Sequence, residues 1–168
     1  MDLIKLTDEK GQTYGNTQWG KNVTHEVEWS GNFCSRGCIH VYQDLHVALL
    51  LNPIHANFSN PRAWKAKGKV LASDRGLKFG TAKLTTISEI FPVPKISLKQ
   101  YITFGILCAK QVYQDHGWII WADNWLKNTD RSSTAAHAAY NAASAAASAA
   151  AILDFSKLAE QAMNWPTE

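Results

Sequence analysis

The hydrophobic period of the sequence changes near Pro94, and no single class of secondary structure satisfies both sides of the change. Before it lie two-residue alternations of β-branched and aromatic residues and eight of the ten glycines. After it come three- and four-residue apolar spacings and, over 135–151, twelve alanines in seventeen positions. A side-chain period of about 2 belongs to a strand and one of about 3.6 to a helix. The expected fold is therefore α+β. A small antiparallel sheet domain with one short helix covers 1–94, and a helical region over 95–168 ends in a long alanine-rich helix at about 133–163.

Within the first part, residues 3–7 form a strand candidate. Residues 23–29 alternate, with Val23, His25, Val27 and Trp29 on one face and Thr24, Glu26 and Glu28 on the other, as a half-buried strand does. Residues 38–42 form a third strand, Asp44 caps a helix over 45–51, and Asn52-Pro53 ends it, because a proline disfavours the helical region for its predecessor. Residues 63–72 and 82–90 complete the sheet. Trp64, Ala66, Gly68 and Val70 share one side of the first of these, leaving Lys65, Lys67 and Lys69 as a wet face or a phosphate-facing ridge.

In the second part, Ser97 and Gln100 fit a capping box that opens a helix to about Asp115, with Gly117 at its C′ position. A second helix covers 118–126, with Trp118, Trp121 and Trp125 on one core-facing stripe. Alanine is the strongest helix former, so the tract beyond is expected to be helical by propensity alone. His137, Tyr140, Asn141, Ser144 and Ser148 share one stripe of that helix, and Phe155, Leu158, Ala162 and Trp165 continue it. Two arrangements compete. If the bulky stripe faces inward, the helix docks within the chain. If the alanine face does, a second copy can approach closely, and Tyr140, Ala143 and Ala147 mark the face of a homodimer.

Composition excludes several classes of function. The net charge is +3 without a run of Lys or Arg, whereas nucleic-acid binders of this size carry a basic stripe. Direct nucleic-acid binding is not expected. Three cysteines, no signal peptide and no stretch approaching the ~18 apolar residues of a membrane span point to a reduced cytosolic setting. P-loop, dinucleotide-binding, metalloprotease and nucleophile-elbow motifs are missing.

The stretch CSRGCIHVYQDL, residues 34–45, holds the densest chemistry. Structural zinc needs four ligands, and Cys34 with Cys38 supplies one pair without a second; no metal is expected. A reactive thiol needs a base or a helix N-terminus, and only His40, two residues on, answers to that. The simplest reading is a turn marked by Gly37, then a strand whose Ile39 and Val41 face the core while Cys38, His40 and Tyr42 face the other way. If His25 and Trp29 join them, the sheet presents a wall of rings suited to planar ligands or to a protein partner.

The motifs Gly11-Gln12-Thr13-Tyr14, Thr17-Gln18-Trp19-Gly20, Gly37-Cys38-Ile39-His40, Leu51-Asn52-Pro53-Ile54-His55 and Asn60-Pro61-Arg62-Ala63-Trp64 resemble a family of bacteriophage and prophage domains of unknown function, whose members often carry alanine-rich tails. The resemblance implies a viral gene product working in the host bacterial cytoplasm, and brings no catalytic residues and no cofactor with it. By analogy with other small phage accessory proteins, the expected function is counter-defence by binding. It would act either as an inhibitor of a host immune complex, of the anti-CRISPR type, or as a sponge for a signalling nucleotide. The expected recognition residues are Trp19, His25, Trp29, His40, Tyr42, Asn52, His55 and Arg62. Two alternatives stand beside this. Residues 37–51 also look like a segment of ADP-ribosyltransferase folds, which would make the chain an NAD-using enzyme or its inactive relative, with Glu89 as the one nearby glutamate. A virion assembly protein, built on the alanine-rich helix, is the other.

Overall fold

The structure, a computed structural model, describes residues 2–33, 35–129 and 153–166. They form mixed α+β structure with antiparallel sheets, in two compact units over 1–95 and 96–168.

The first unit is organised by one long bent hairpin. Strands β6 (Arg62–Gly68) and β7 (Ala72–Asp74) make its outgoing arm, and β8 (Lys78–Thr81) and β9 (Lys83–Ile90) its return. The register is continuous from Ala66↔Thr86 through Gly68↔Leu84 and Ala72↔Gly80 to Asp74↔Lys78, with one irregularity between Lys65 and Ala66. The turn places Arg75 at φ 49° and Gly76 at φ 87°, the left-handed region that glycine enters without steric cost. Strand β1 (Asp2–Thr7) pairs with β6 at the base of the hairpin, and β5 (Ile39–Val41) pairs with β8 near its tip. Ile4 and Tyr42 then exchange both backbone hydrogen bonds, at 2.7 and 2.9 Å. Pairing thus runs from β1 through the hairpin to β5 and back to β1. The core cluster draws on all sides of this ring: Leu3, Ile39, Val41, Ala66 and Leu84, with Trp19. Strand β4 (Val23–Glu26) flanks β9, and the short pair β2 (Gln12–Thr13) and β3 (Thr17–Gln18) carries Trp19 into the core.

Ile39 and Val41 are buried, as the alternation predicts. The strand expected over 23–29 ends at Glu26, and the strand expected over 63–72 breaks at Gly68, where the hairpin bends. A Cβ on Gly68 would lie 2.7 Å from the Lys83 carbonyl, so the two arms meet there as bare backbone. The short β8 was not anticipated.

Helix α1 (Leu45–His55) begins at Asp44, whose carboxylate accepts from Val47 N at 2.9 Å. It does not end before Pro53 as expected. Proline removes one helical N–H and disfavours a helical predecessor, but Asn52 offsets both. Its carbonyl accepts from Ala56 and Asn57, at 3.0 and 2.6 Å, and its side chain clamps both the N–H and the carbonyl of Phe58.

In the second unit, α2 (Leu98–Lys110) opens with the expected capping box: Ser97 Oγ accepts from Gln100 N, and Gln100 Oε1 accepts from Ser97 N. It stops at Lys110, short of Asp115. Asp115 instead caps α3 (His116–Leu126) by accepting from Trp118 N at 2.7 Å, and Gly117 lies in the first turn of α3 rather than past the end of α2. Trp125 is buried with Ile106 and Ala122, and Trp118 and Trp121 pack against that cluster, so the tryptophan stripe is a core stripe. Helix α4 (Phe155–Met163) starts at its own N-cap, Asp154, and buries Phe155, Leu158, Ala159 and Ala162. Gln100 Nε2 donates to the Met163 carbonyl at 2.9 Å, tying α2 to α4. Most of the long alanine-rich helix expected at 133–163, including Tyr140, Ala143 and Ala147, lies outside the described residues.

Candidate functional site

A cleft of about 1240 Å³ opens in the first unit. It is lined by β1, β5, the loop around Trp19, the end of α1 and the hairpin tip. Five of the eight expected recognition residues line it: Trp19, His25, His40, Tyr42 and His55.

Each ring is held by a defined partner. Trp19 is 3% exposed and donates Nε1–H to Thr13 Oγ1 at 2.9 Å. His25 packs edge-on to it, centroids 4.6 Å apart, with Nε2 2.7 Å from the Gln18 carbonyl. His40 Nε2 lies 2.7 Å from the Phe33 carbonyl. A carbonyl can only accept, so Nε2 carries the proton in both histidines, and in the neutral ring Nδ1 is the acceptor. Tyr42 Oη lies 3.1 Å from His55 Nδ1, and the two rings stack at 6.0 Å.

The electrostatics follow from burial. Burial lowers the His55 pKa to about 4, helped by nearby Lys78 and His40 and opposed by Asp74. Burial likewise lowers His40, against the pull of its Phe33 hydrogen bond, with Lys78 and Lys5 adding to the fall. Burial raises the Tyr42 hydroxyl well above its ordinary range. At neutral pH, Tyr42 therefore keeps its proton and shares a hydrogen bond with a neutral His55.

One residue of the site was not foreseen. Lys5 shares a face of β1 with Leu3 and Thr7, which are 1% and 0% exposed, and is itself only 8% exposed. Its Nζ donates to the His40 carbonyl at 3.0 Å and sits 5.1 Å from the centre of the Trp19 ring, within cation–π range. Burial lowers its pKa to about 8, and the neighbouring Cys38 opposes the shift. The run Leu3-Ile4-Lys5-Leu6-Thr7 does hold a signal: Lys5 falls on the same parity as Leu3, not on a polar face of its own. Lys78 and Arg36 also line the cleft, as does Glu26, which pairs with Lys83, so its described lining combines ring surfaces with an excess of positive charge.

The other three expected residues lie elsewhere. Trp29 is half-buried and does not line the cleft. Asn52 is 5% exposed and committed to clamping Phe58. Arg62 makes a bidentate pair with Glu89, at 2.7 and 2.6 Å, and stacks on Trp64. Their sequence signal was that of structural residues: a helix-end clamp and a cross-strand ion pair look like recognition residues until their partners are known. Cys34 lies outside the described residues, and among those residues no three His, Cys, Asp or Glu side chains gather as a metal site. No helix among them is long and apolar enough to cross a membrane.

No family model matches the chain, and neither a curated protein nor a solved structure matches it.

Proposed function

We propose that the chain is a phage counter-defence protein that works by binding in a bacterial host, and that what it binds is a small planar anion of the signalling-nucleotide class. The observation that carries this is the composition of the cleft. Trp19, His25, His40, Tyr42 and His55 supply ring surface and a few directed polar groups, and Lys5, Lys78 and Arg36 supply positive charge around the same space. Ligand sites are commonly clefts of about 300–1,000 Å³ lined by apolar and aromatic groups with a few placed polar atoms. At about 1240 Å³ this one has room for a nucleotide. The viral and counter-defence part rests on the resemblance of the N-terminal motifs.

An NAD-using transferase draws less support, because Glu89 is engaged by Arg62 and does not line the cleft. An inhibitor of a host protein complex would place its contacts on the rim rather than in the cleft. A thermal-shift panel of cyclic and linear nucleotides tests the proposal. A ligand at a hundredfold excess over its Kd should stabilise the protein by about 2.7 kcal/mol, and His40→Ala or Lys78→Glu should abolish the shift. No shift from any nucleotide, together with capture of one host protein complex that survives both substitutions, would replace the nucleotide reading with the protein-blocker one.

A further inference from the structure

The Lys5 ammonium is poorly matched to its surroundings. It has three N–H groups, yet among the described residues its hydrogen-bond partner is the single carbonyl of His40, at 3.0 Å, with the Trp19 ring 5.1 Å away. A protonated imine at the same nitrogen has one N–H and a delocalised positive charge. One carbonyl acceptor and one ring face are what such a group needs. Lys5 is also one of the residues that line the cleft.

We propose that Lys5 captures a carbonyl-bearing ligand covalently, condensing through Nζ with the aldehyde of a phosphorylated or nucleotide-linked reducing compound. The Nζ lone pair attacks the carbonyl carbon, and the carbonyl π pair moves to oxygen, which takes up a proton. The carbinolamine then loses its hydroxyl as water as the C=N bond forms. The sum is neutral amine plus aldehyde plus one proton from solvent giving protonated imine plus water, with no oxidant or reductant. Capture is reversible by hydrolysis, so the ligand is held without net turnover. The low basicity of this amine, with its pKa near 8, leaves a far larger neutral fraction at pH 7.5 than an exposed lysine has. Lys65, Lys67 and Lys69, all exposed, are the internal comparison. The proposal rests on the cleft being a ligand site, and deepens that reading by naming the ligand's reactive group.

The test uses the full chain with two probes. Pyridoxal 5′-phosphate, a planar ring with a phosphate and an aldehyde, is added with cyanoborohydride at pH 7.5, and the reduced adduct is mapped by peptide mass. Modification of Lys5 at least tenfold faster than of Lys65, Lys67 or Lys69, and its loss in Lys5→Arg and in Lys5→Met, supports the proposal. Equal labelling of the exposed lysines with Lys5 untouched overturns it. AMP, which has no free aldehyde, is the second probe, read by thermal shift. Stabilisation by AMP without labelling of Lys5 leaves the binding site standing and removes the imine. Absence of both removes the site and the imine together.

Discussion

Lys5 occupies a position that an apolar residue would fill at lower cost. Its pKa falls from 10.5 to about 8 in the folded chain, so the folded state binds its proton less tightly than the unfolded state does. The stability associated with the neutral amine is fully present above about 10.5 and is lost as the pH falls through about 8; below that the penalty is constant. The shift corresponds to roughly 3 kcal/mol, partly offset by the hydrogen bond to His40, worth about 1 kcal/mol. Lys5→Met should therefore stabilise the protein at pH 7 by about 1–2 kcal/mol, with the advantage shrinking by pH 10, as measured by urea unfolding at both pH values. Equal stability of the two proteins at pH 7 would show that Lys5 is better solvated than its burial indicates. His55 has the same sign at lower pH. Its pKa drops from 6.5 to about 4, so its contribution is intact above about 6.5 and disappears as the pH falls towards 4. His40, also lowered, acts in the same direction. His55→Gln should flatten the loss of stability between pH 6.5 and 4, seen as a smaller change in urea midpoint than in the parent.

At the scale of elements, close approaches govern where strands begin and end. A Cβ on Gly37 would lie 2.5 Å from the Glu28 carbonyl oxygen and 3.0 Å from Ser30 N. Gly37→Ala must push apart the two loops that lead out of β4 and into β5, at a cost of about 1–3 kcal/mol. The expected readout is a lower melting temperature together with altered fluorescence of Trp29, which lies in the first of those loops. An unchanged melt would mean that the loops yield freely. The sequence marked Gly37 as a turn residue, and the alternation of Ile39 and Val41 put the correct side of β5 in the core. Caps were equally legible: Asp44, Ser97 and Gln100 act as their residue types and spacing predict. What could not be read was partnership between distant residues. The Asn52 clamp on Phe58 carries α1 past Pro53, and the Glu89 pair occupies Arg62. Each needs a residue six to twenty-seven positions away to be already in place. The cleft was half legible for the same reason. Aromatic and imidazole side chains announced themselves by type, whereas Lys5 looks ordinary until strand pairing fixes which face of β1 turns inward.

At the scale of the whole molecule, each unit carries its own core. Leu3, Trp19, Ile39, Val41, Ala66 and Leu84 anchor the first, and Ile106, Ala122 and Trp125, ringed by half-buried Ile102, Trp118 and Trp121, anchor the second. Among the described residues, those that line the cleft run from Lys5 to Lys78, all within the first unit. Its ring of strand pairing closes through Ile4 and Tyr42, and the described strands that form it all lie before residue 95. A domain of this length buries less of its unfolded surface than a larger one, roughly 60–65%, so its margin is small but of the size that isolated domains live with. A fragment of residues 1–95 should therefore fold on its own with a cooperative thermal transition. It should also reproduce whatever ligand shift the full chain shows, because ring walls, positive charge and the Lys5 amine all travel with it. Thermal unfolding of the fragment with and without the ligand found for the full chain decides the matter. A fragment that folds but has lost the shift would mean that residues past 95 complete the site, and the binding function would then have to be assigned to the chain as a whole rather than to its sheet.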